Sequence, residues 1–116
     1  MISADSAKLL RLIGLGVRGR TVVVGVDQVR RGVLKGKVKL AVVAPDAAQN
    51  SLDKVLPLLA ARHVRVMEAP SARELGEAVG RESTVAVGIL DAGLARGVAA
   101  VSQQLAASNE GRKKDR

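Results

Sequence analysis

The residues able to do chemistry are few. The chain has 116 residues, with one histidine and no cysteine. His63 stands between Arg62 and Val64-Arg65 in a helix-to-strand turn. It has no second His or Cys with which to share a metal and no nucleophile to activate, so it reads as a structural residue. The carboxylates are scattered and locally explained. Asp91 and Glu74 suit helix starts, and Asp46 suits a turn. No P-loop, zinc motif or nucleophile elbow is present. Gly14-Leu15-Gly16-Val17-Arg18-Gly19 matches the spacing of a dinucleotide loop. That loop works only with a strand before it and a helix after it, whose N-terminus meets the pyrophosphate. Here the order is reversed, helix first and strand second, and the match is rejected. Binding is expected rather than catalysis, with no cofactor and no metal.

Charge says what is bound. Nineteen Lys and Arg against eleven Asp and Glu give a net charge of +8. Such an excess favours a polyanion, with nucleic acid foremost. Segment 109–116 holds Arg112, Lys113, Lys114 and Arg116 against Glu110 and Asp115, so most of the excess belongs to the folded part. The absence of Phe, Tyr and Trp rules out stacking bases on aromatic rings. Backbone, Arg/Lys and aliphatic contacts remain, which suit a structured RNA. No apolar run approaches the ~20 residues of a membrane span. The opening MISADSAK lacks a signal peptide's basic start and apolar core, so a cytoplasmic protein is expected.

The stretch Thr21–Ala48 organises the rest. It reads as a β-branched strand (Thr21–Val24), Gly25, a basic amphipathic helix with Val26, Val29 and Val33 inward, a stop at Gly36, and a buried strand (Val38–Ala44). Before it, Leu9, Leu12, Ile13 and Val17 mark a helix capped by Ser3 or Asp5 and ending near Val17. After it, Ser51 suits the cap of a helix with Leu52, Val55, Leu56 and Leu59 inward, which Pro57 either kinks or splits. Val64–Met67 is a strand. Ser71-Ala72-Arg73-Glu74 forms a capping box for a helix with Leu75, Ala78 and Val79 inward, ending at Gly80. Thr84–Leu90 is the last strand, followed by a helix with Leu94, Val98, Val101 and Leu105 on one stripe. Helix and strand alternate throughout. The expectation is an α/β domain over 1–107 with helices on both faces of a four-stranded mixed sheet, and a flexible basic tail over 108–116.

The series GVDQVRRGVLKGKVKLAVVAPDA, then LPLLAARHVRVMEAPSARELGEAVG, resembles the family of ribosomal proteins L-seven-Ae and L-thirty-e, and within it the bacterial YlxQ-like branch encoded beside transcription and translation factors. The resemblance covers about residues 8–102. It implies a three-layer αβα sandwich and binding of kink-turn RNA. The family's motif Gly-x-Asn-Glu-x-x-Lys, whose helix start enters the groove of the kinked RNA, falls on Gly25, Asp27, Gln28 and Arg31. Gly25 permits close backbone approach. Arg31 can donate to guanine O6 and N7, and Gln28 can both donate and accept at a base edge. Asp27 departs from the motif: a carboxylate cannot donate to O6. It either accepts from a base amino group or serves the helix dipole. In the loop that covers an extruded base in the family, Met67, Ala69 and Pro70 are the aliphatic residues, with core packing the other reading for Met67.

A ribosomal-type RNA-binding protein is therefore expected. It would bind structured RNA, possibly ribosomal, through residues 25–31 and 66–73, with Arg18, Arg20, Lys35, Lys37 and Arg73 adding phosphate contacts. It would act as a monomer or as part of a ribonucleoprotein. The rival reading is a protein-interaction module of the translation and transcription machinery that keeps the fold and has lost specific RNA recognition.

Overall fold

The computed structural model describes residues 4–101. Ser3, Leu105 and the tail expected over 108–116 lie outside the described residues. The order is α1 (Ala4–Arg18), β1 (Val22–Val24), α2 (Val26–Leu34), β2 (Leu40–Val43), α3 (Gln49–Ala61), β3 (Arg65–Glu68), α4 (Ala72–Ala78) and β4 (Ala86–Ile89). Residues 92–101 form a further helix, α5.

The sheet order is β1-β4-β2-β3. β2 and β3 are parallel, with Val42 opposite Met67, while β4 runs antiparallel to both β1 and β2. The sheet is therefore mixed, as the helical crossovers imply. Strand alternation sends side chains to two faces. One face buries Val24, Leu40, Val42, Met67, Val87 and Ile89 against Leu9 and Ile13 of α1, Leu75 of α4 and Val98 of α5. The other buries Ala41, Val43 and Ala86 against Val29 and Val33 of α2 and Leu52, Val55 and Leu59 of α3. This is a three-layer αβα sandwich built without aromatic rings.

Strand direction creates two ends. Gly25, Ala44–Asp46 and Ala69–Pro70 follow β1, β2 and β3 at one end, which β4 enters. There Gly25 N–H donates to Ala86 O (2.9 Å) and Ala44 N–H to Val85 O (2.8 Å). At the other end, Lys39 N–H donates to Ile89 O (2.7 Å) and Leu90 N–H to Thr21 O (2.8 Å).

Local signals explain most boundaries. Ser71 Oγ accepts from Glu74 N–H at 3.1 Å and donates to Glu74 Oε2 at 3.1 Å, so the expected capping box forms. Asp91 Oδ2 accepts from Leu94 N–H at 2.7 Å, capping α5. Ser51 is not the cap of α3. That helix begins at Gln49 after Ala48, with no side-chain cap, and continues through Pro57. Pro57 has no N–H, so Asp53 O loses its donor within the helix. Nearby, the Arg30 guanidinium of α2 donates to Lys54 O and ties the two helices together.

α1, α2, α3 and α4 end alike. The residue two past the helix turns left-handed, and two backbone bonds close the end. At α2 these are Gly36 N–H to Val33 O (3.0 Å) and Lys37 N–H to Gly32 O (2.9 Å). Gly36 and Gly80 fill the left-handed position in α2 and α4, but Arg20 (φ 60°) and His63 (φ 58°) fill it in α1 and α3. His63 is thus a helix terminator, with its N–H on Ala60 O at 3.1 Å. The glycines of the rejected dinucleotide pattern serve packing. A Cβ on Gly14 would lie 2.8 Å from Ala78 O, and one on Gly16 would strike Val22 and Leu94.

Candidate functional site

β1 ends by delivering the chain to Gly25, whose φ of 96° and ψ of 156° make it the N-cap of α2. Residues other than glycine essentially never occupy that region. A Cβ there would meet nothing within 4 Å, so the glycine is required by conformation and leaves its surface open. No side chain caps the start of α2. The first-turn N–H groups, with the positive end of the helix dipole, are left to an outside acceptor.

An open groove of about 500 Å3 surrounds this helix start. Val24, Gly25, Val26, Asp27, Gln28 and Arg31 line one side, Ser51 and Lys54 of α3 another, and Arg81 beyond α4 closes it. Arg31, Lys54 and Arg81 are exposed. Three cations thus face one carboxylate, Asp27, around a dipole of positive sign. Gln28 is partly held: its Oε1 accepts from Val24 N–H at 3.4 Å. That leaves the Nε2 amide hydrogens as its free donors.

Loop 69–73 reaches the same end of the sheet. Asp46 Oδ1 accepts from Ala72 N–H at 2.7 Å, and Thr84 N–H donates to Ala72 O at 2.9 Å. The two segments expected to act together, 25–31 and 66–73, therefore lie at one end. Pro70 is half-buried and Arg73 is exposed, with its Nε 3.4 Å from Glu77 Oε1.

Other expected residues lie elsewhere. Met67 and Ala69 are 6% and 3% exposed and belong to the core, so of the two readings offered for Met67, core packing is the one observed. Ala69 is corrected in the same way, because alternation along β3 and the turn after it sends both side chains inward. Arg18, Arg20, Lys35 and Lys37 are not gathered at Gly25. Arg18 lines a groove between α1 and α4 with Glu74 and Glu77. Arg20 precedes β1, and Lys35 and Lys37 follow α2, all at the opposite end of the sheet. Lys35 and Lys37 line a smaller groove that shares Gln28 and Arg31 with the first. Lys54 and Arg81 were not singled out from sequence. They stand 23 and 50 residues beyond Arg31, and no local pattern announces their convergence.

Among the described residues no cluster of three His, Asp or Glu side chains could hold a metal ion. No helix among them is long and apolar enough to cross a membrane.

Residues 7–99 match the model of a family described as ribosomal protein L7Ae/L30e/S12e/Gadd45. The RNA-binding protein YlxQ of Bacillus subtilis (strain 168) is 33% identical over 84 residues, covering 72% of this chain and 84% of that protein. A solved structure of a protein of unknown function from Bacillus halodurans C is 33% identical, with a TM-score of 0.77, over 84% of this chain and 98% of the other. The Giardia lamblia 15.5kD RNA binding protein shares the fold at 23% identity, with a TM-score of 0.72 and 92% of each chain covered.

Proposed function

The chain belongs to the ribosomal protein L7Ae/L30e/S12e/Gadd45 family, and on that footing we propose that it is a cytoplasmic RNA-binding protein, not an enzyme, that recognises structured, kink-turn-like RNA and stabilises its bent form. The observation that carries this reading is the groove at the start of α2, where uncapped helix N–H groups meet Arg31, Lys54 and Arg81. Phosphate suits the helix start. Arg31 and the Gln28 amide supply donors to a guanine edge. Pro70 and Arg73 extend the surface at the same end. Binding shifts the RNA toward the kinked form because only that form presents both strands to the groove.

The test is a titration of RNA labelled with a fluorophore, since the protein has no Trp or Tyr to report. Kink-turn RNA is compared with the same RNA carrying Watson–Crick pairs in place of its tandem G·A pairs. At least about tenfold tighter binding to the first is expected, the weight of about one lost base-edge contact. Equal, salt-sensitive binding to both would sink shape recognition and leave a basic surface only.

A further inference from the structure

The end of the sheet opposite the Gly25 groove carries six exposed cations. Arg20 leads into β1, Lys35 and Lys37 follow α2, Lys39 leads into β2, Arg62 closes α3, and Arg65 opens β3. All six are exposed. Among the described residues the one ion pair is Arg73–Glu77, so none of the six is neutralised by a neighbour. Asp91 is the carboxylate at this end, and it is occupied by the Leu94 N–H. A hollow of about 290 Å3 lies by the ends of α2 and α3, lined by Gly36, Lys39, Arg62 and His63 among others.

We propose that this end is a second nucleic-acid surface, which grips the phosphate backbone of a duplex without reading its sequence. β1 and β3 are the sheet edges, three strand spacings apart, or roughly 14 Å. An RNA duplex presents phosphates of both strands along the rims of its wide, shallow minor groove, so cations at the two edges and the middle can meet phosphates of both strands. A single strand is the poorer ligand, because no Phe, Tyr or Trp is present to stack its bases and His63 is the one ring at this end. Helix ends favour cations too, since α2 and α3 point the negative ends of their dipoles here. That preference accounts for Lys35 and Arg62. It does not account for Lys39 and Arg65, which start strands.

The two surfaces lie at opposite ends of the same strands, so one RNA with a kink and a flanking helix, or two RNAs, can be held at once. The second surface does not rest on kink-turn recognition at the first.

The experiment compares the full chain with the variant Lys39→Gln, Arg62→Gln, Arg65→Gln. The probe is a labelled, fully Watson–Crick RNA duplex titrated across a potassium chloride series. Three lost phosphate contacts should make the slope of log K against log salt shallower by about 2 to 3, and weaken binding at low salt by more than about tenfold. The preference for kink-turn RNA over its Watson–Crick control should be kept or rise, because the variant leaves the Gly25 groove intact. Circular dichroism melting accompanies both. An unchanged slope and affinity overturns the proposal. A lowered melting temperature with an unchanged slope also overturns it, and assigns the cations a structural role.

Discussion

Where β1 passes into α2, side chains are tied to the backbone. Asp46 holds Ala72 N–H, Ser71 holds Glu74 N–H, and Gln28 holds Val24 N–H. At the opposite end the helix stops are closed by backbone bonds, through Arg20 N–H to Val17 O, Gly36 N–H to Val33 O and His63 N–H to Ala60 O, and the side chains tied to backbone are Thr21, on Gly16 O, and Asp91, on Leu94 N–H. The Lys and Arg side chains there stand free. Both ends carry positive charge, yet the first holds more of its polar side chains in fixed directions around its groove. A fixed array can select one RNA shape, whereas free cations on long stems follow a phosphate track wherever it runs. Net charge announces a nucleic-acid partner but does not separate these two modes. The hydrogen bonds of the loops do.

The sharpest way to break this contrast is to jam the ordered end. Gly76 of α4 faces the chain leading into β4, and a Cβ there would lie 2.5 Å from Ser83 Cα. Because backbone must move, Gly76→Ala should cost about 3 kcal/mol, the upper range for overpacking. Urea unfolding followed by circular dichroism measures it, and salt-dependent duplex binding should survive in the fraction that folds. Next in size, Arg31→Ala should cost ~1–3 kcal/mol of affinity for kink-turn RNA if Arg31 reads a guanine. Unchanged affinity would remove Arg31 from the site. Smaller and opposed in sign are the effects of Asp27→Asn. It gives up ~0.3–1 kcal/mol of helix-dipole stability while adding a donor and removing a charge that repels phosphate. Looser folding with tighter RNA binding is the expected pair, and weaker binding would show the carboxylate itself to be a contact. Smallest is His63→Gly at the other end. Relief of the left-handed backbone, about 1–2 kcal/mol, is offset by the roughly 0.5–1 kcal/mol entropic cost of glycine. A gain of about 0.5 kcal/mol in stability is expected, with kink-turn discrimination untouched.

Much of the fold was legible because its local signals agree. Apolar period, the Ser71 box, the Gly36 and Gly80 stops and the Asp91 cap all appear where the residues imply. The start of α3 was misread because Ser51 is a good cap in isolation, whereas the Ala44–Ala48 turn begins the helix earlier. The candidate site was legible only in part, and the reason is geometric. Lys35 and Lys37 are close to Gly25 in sequence, but α2 carries the chain about 13 Å along its axis at 1.5 Å per residue. Nearness in sequence became distance. Lys54 and Arg81 show the converse, since the crossovers return α3 and the end of α4 to the place where α2 starts. The inward turn of Met67 and Ala69 depended on which face of an edge strand meets the core, which periodicity over four residues does not decide.

The hold of Gln28 on Val24 bears on colonial behaviour rather than on recognition. β1 is an edge strand, and an edge with unpaired N–H groups is a template on which other chains can add. β1 is only three residues long, and the Gln28 carbonyl already occupies the Val24 N–H. A side chain at the mouth of the RNA groove thereby also shields the sheet from self-assembly. A change at position 28 that removes the side-chain acceptor frees the Val24 N–H on that edge, so specificity and solubility are linked through the same residue.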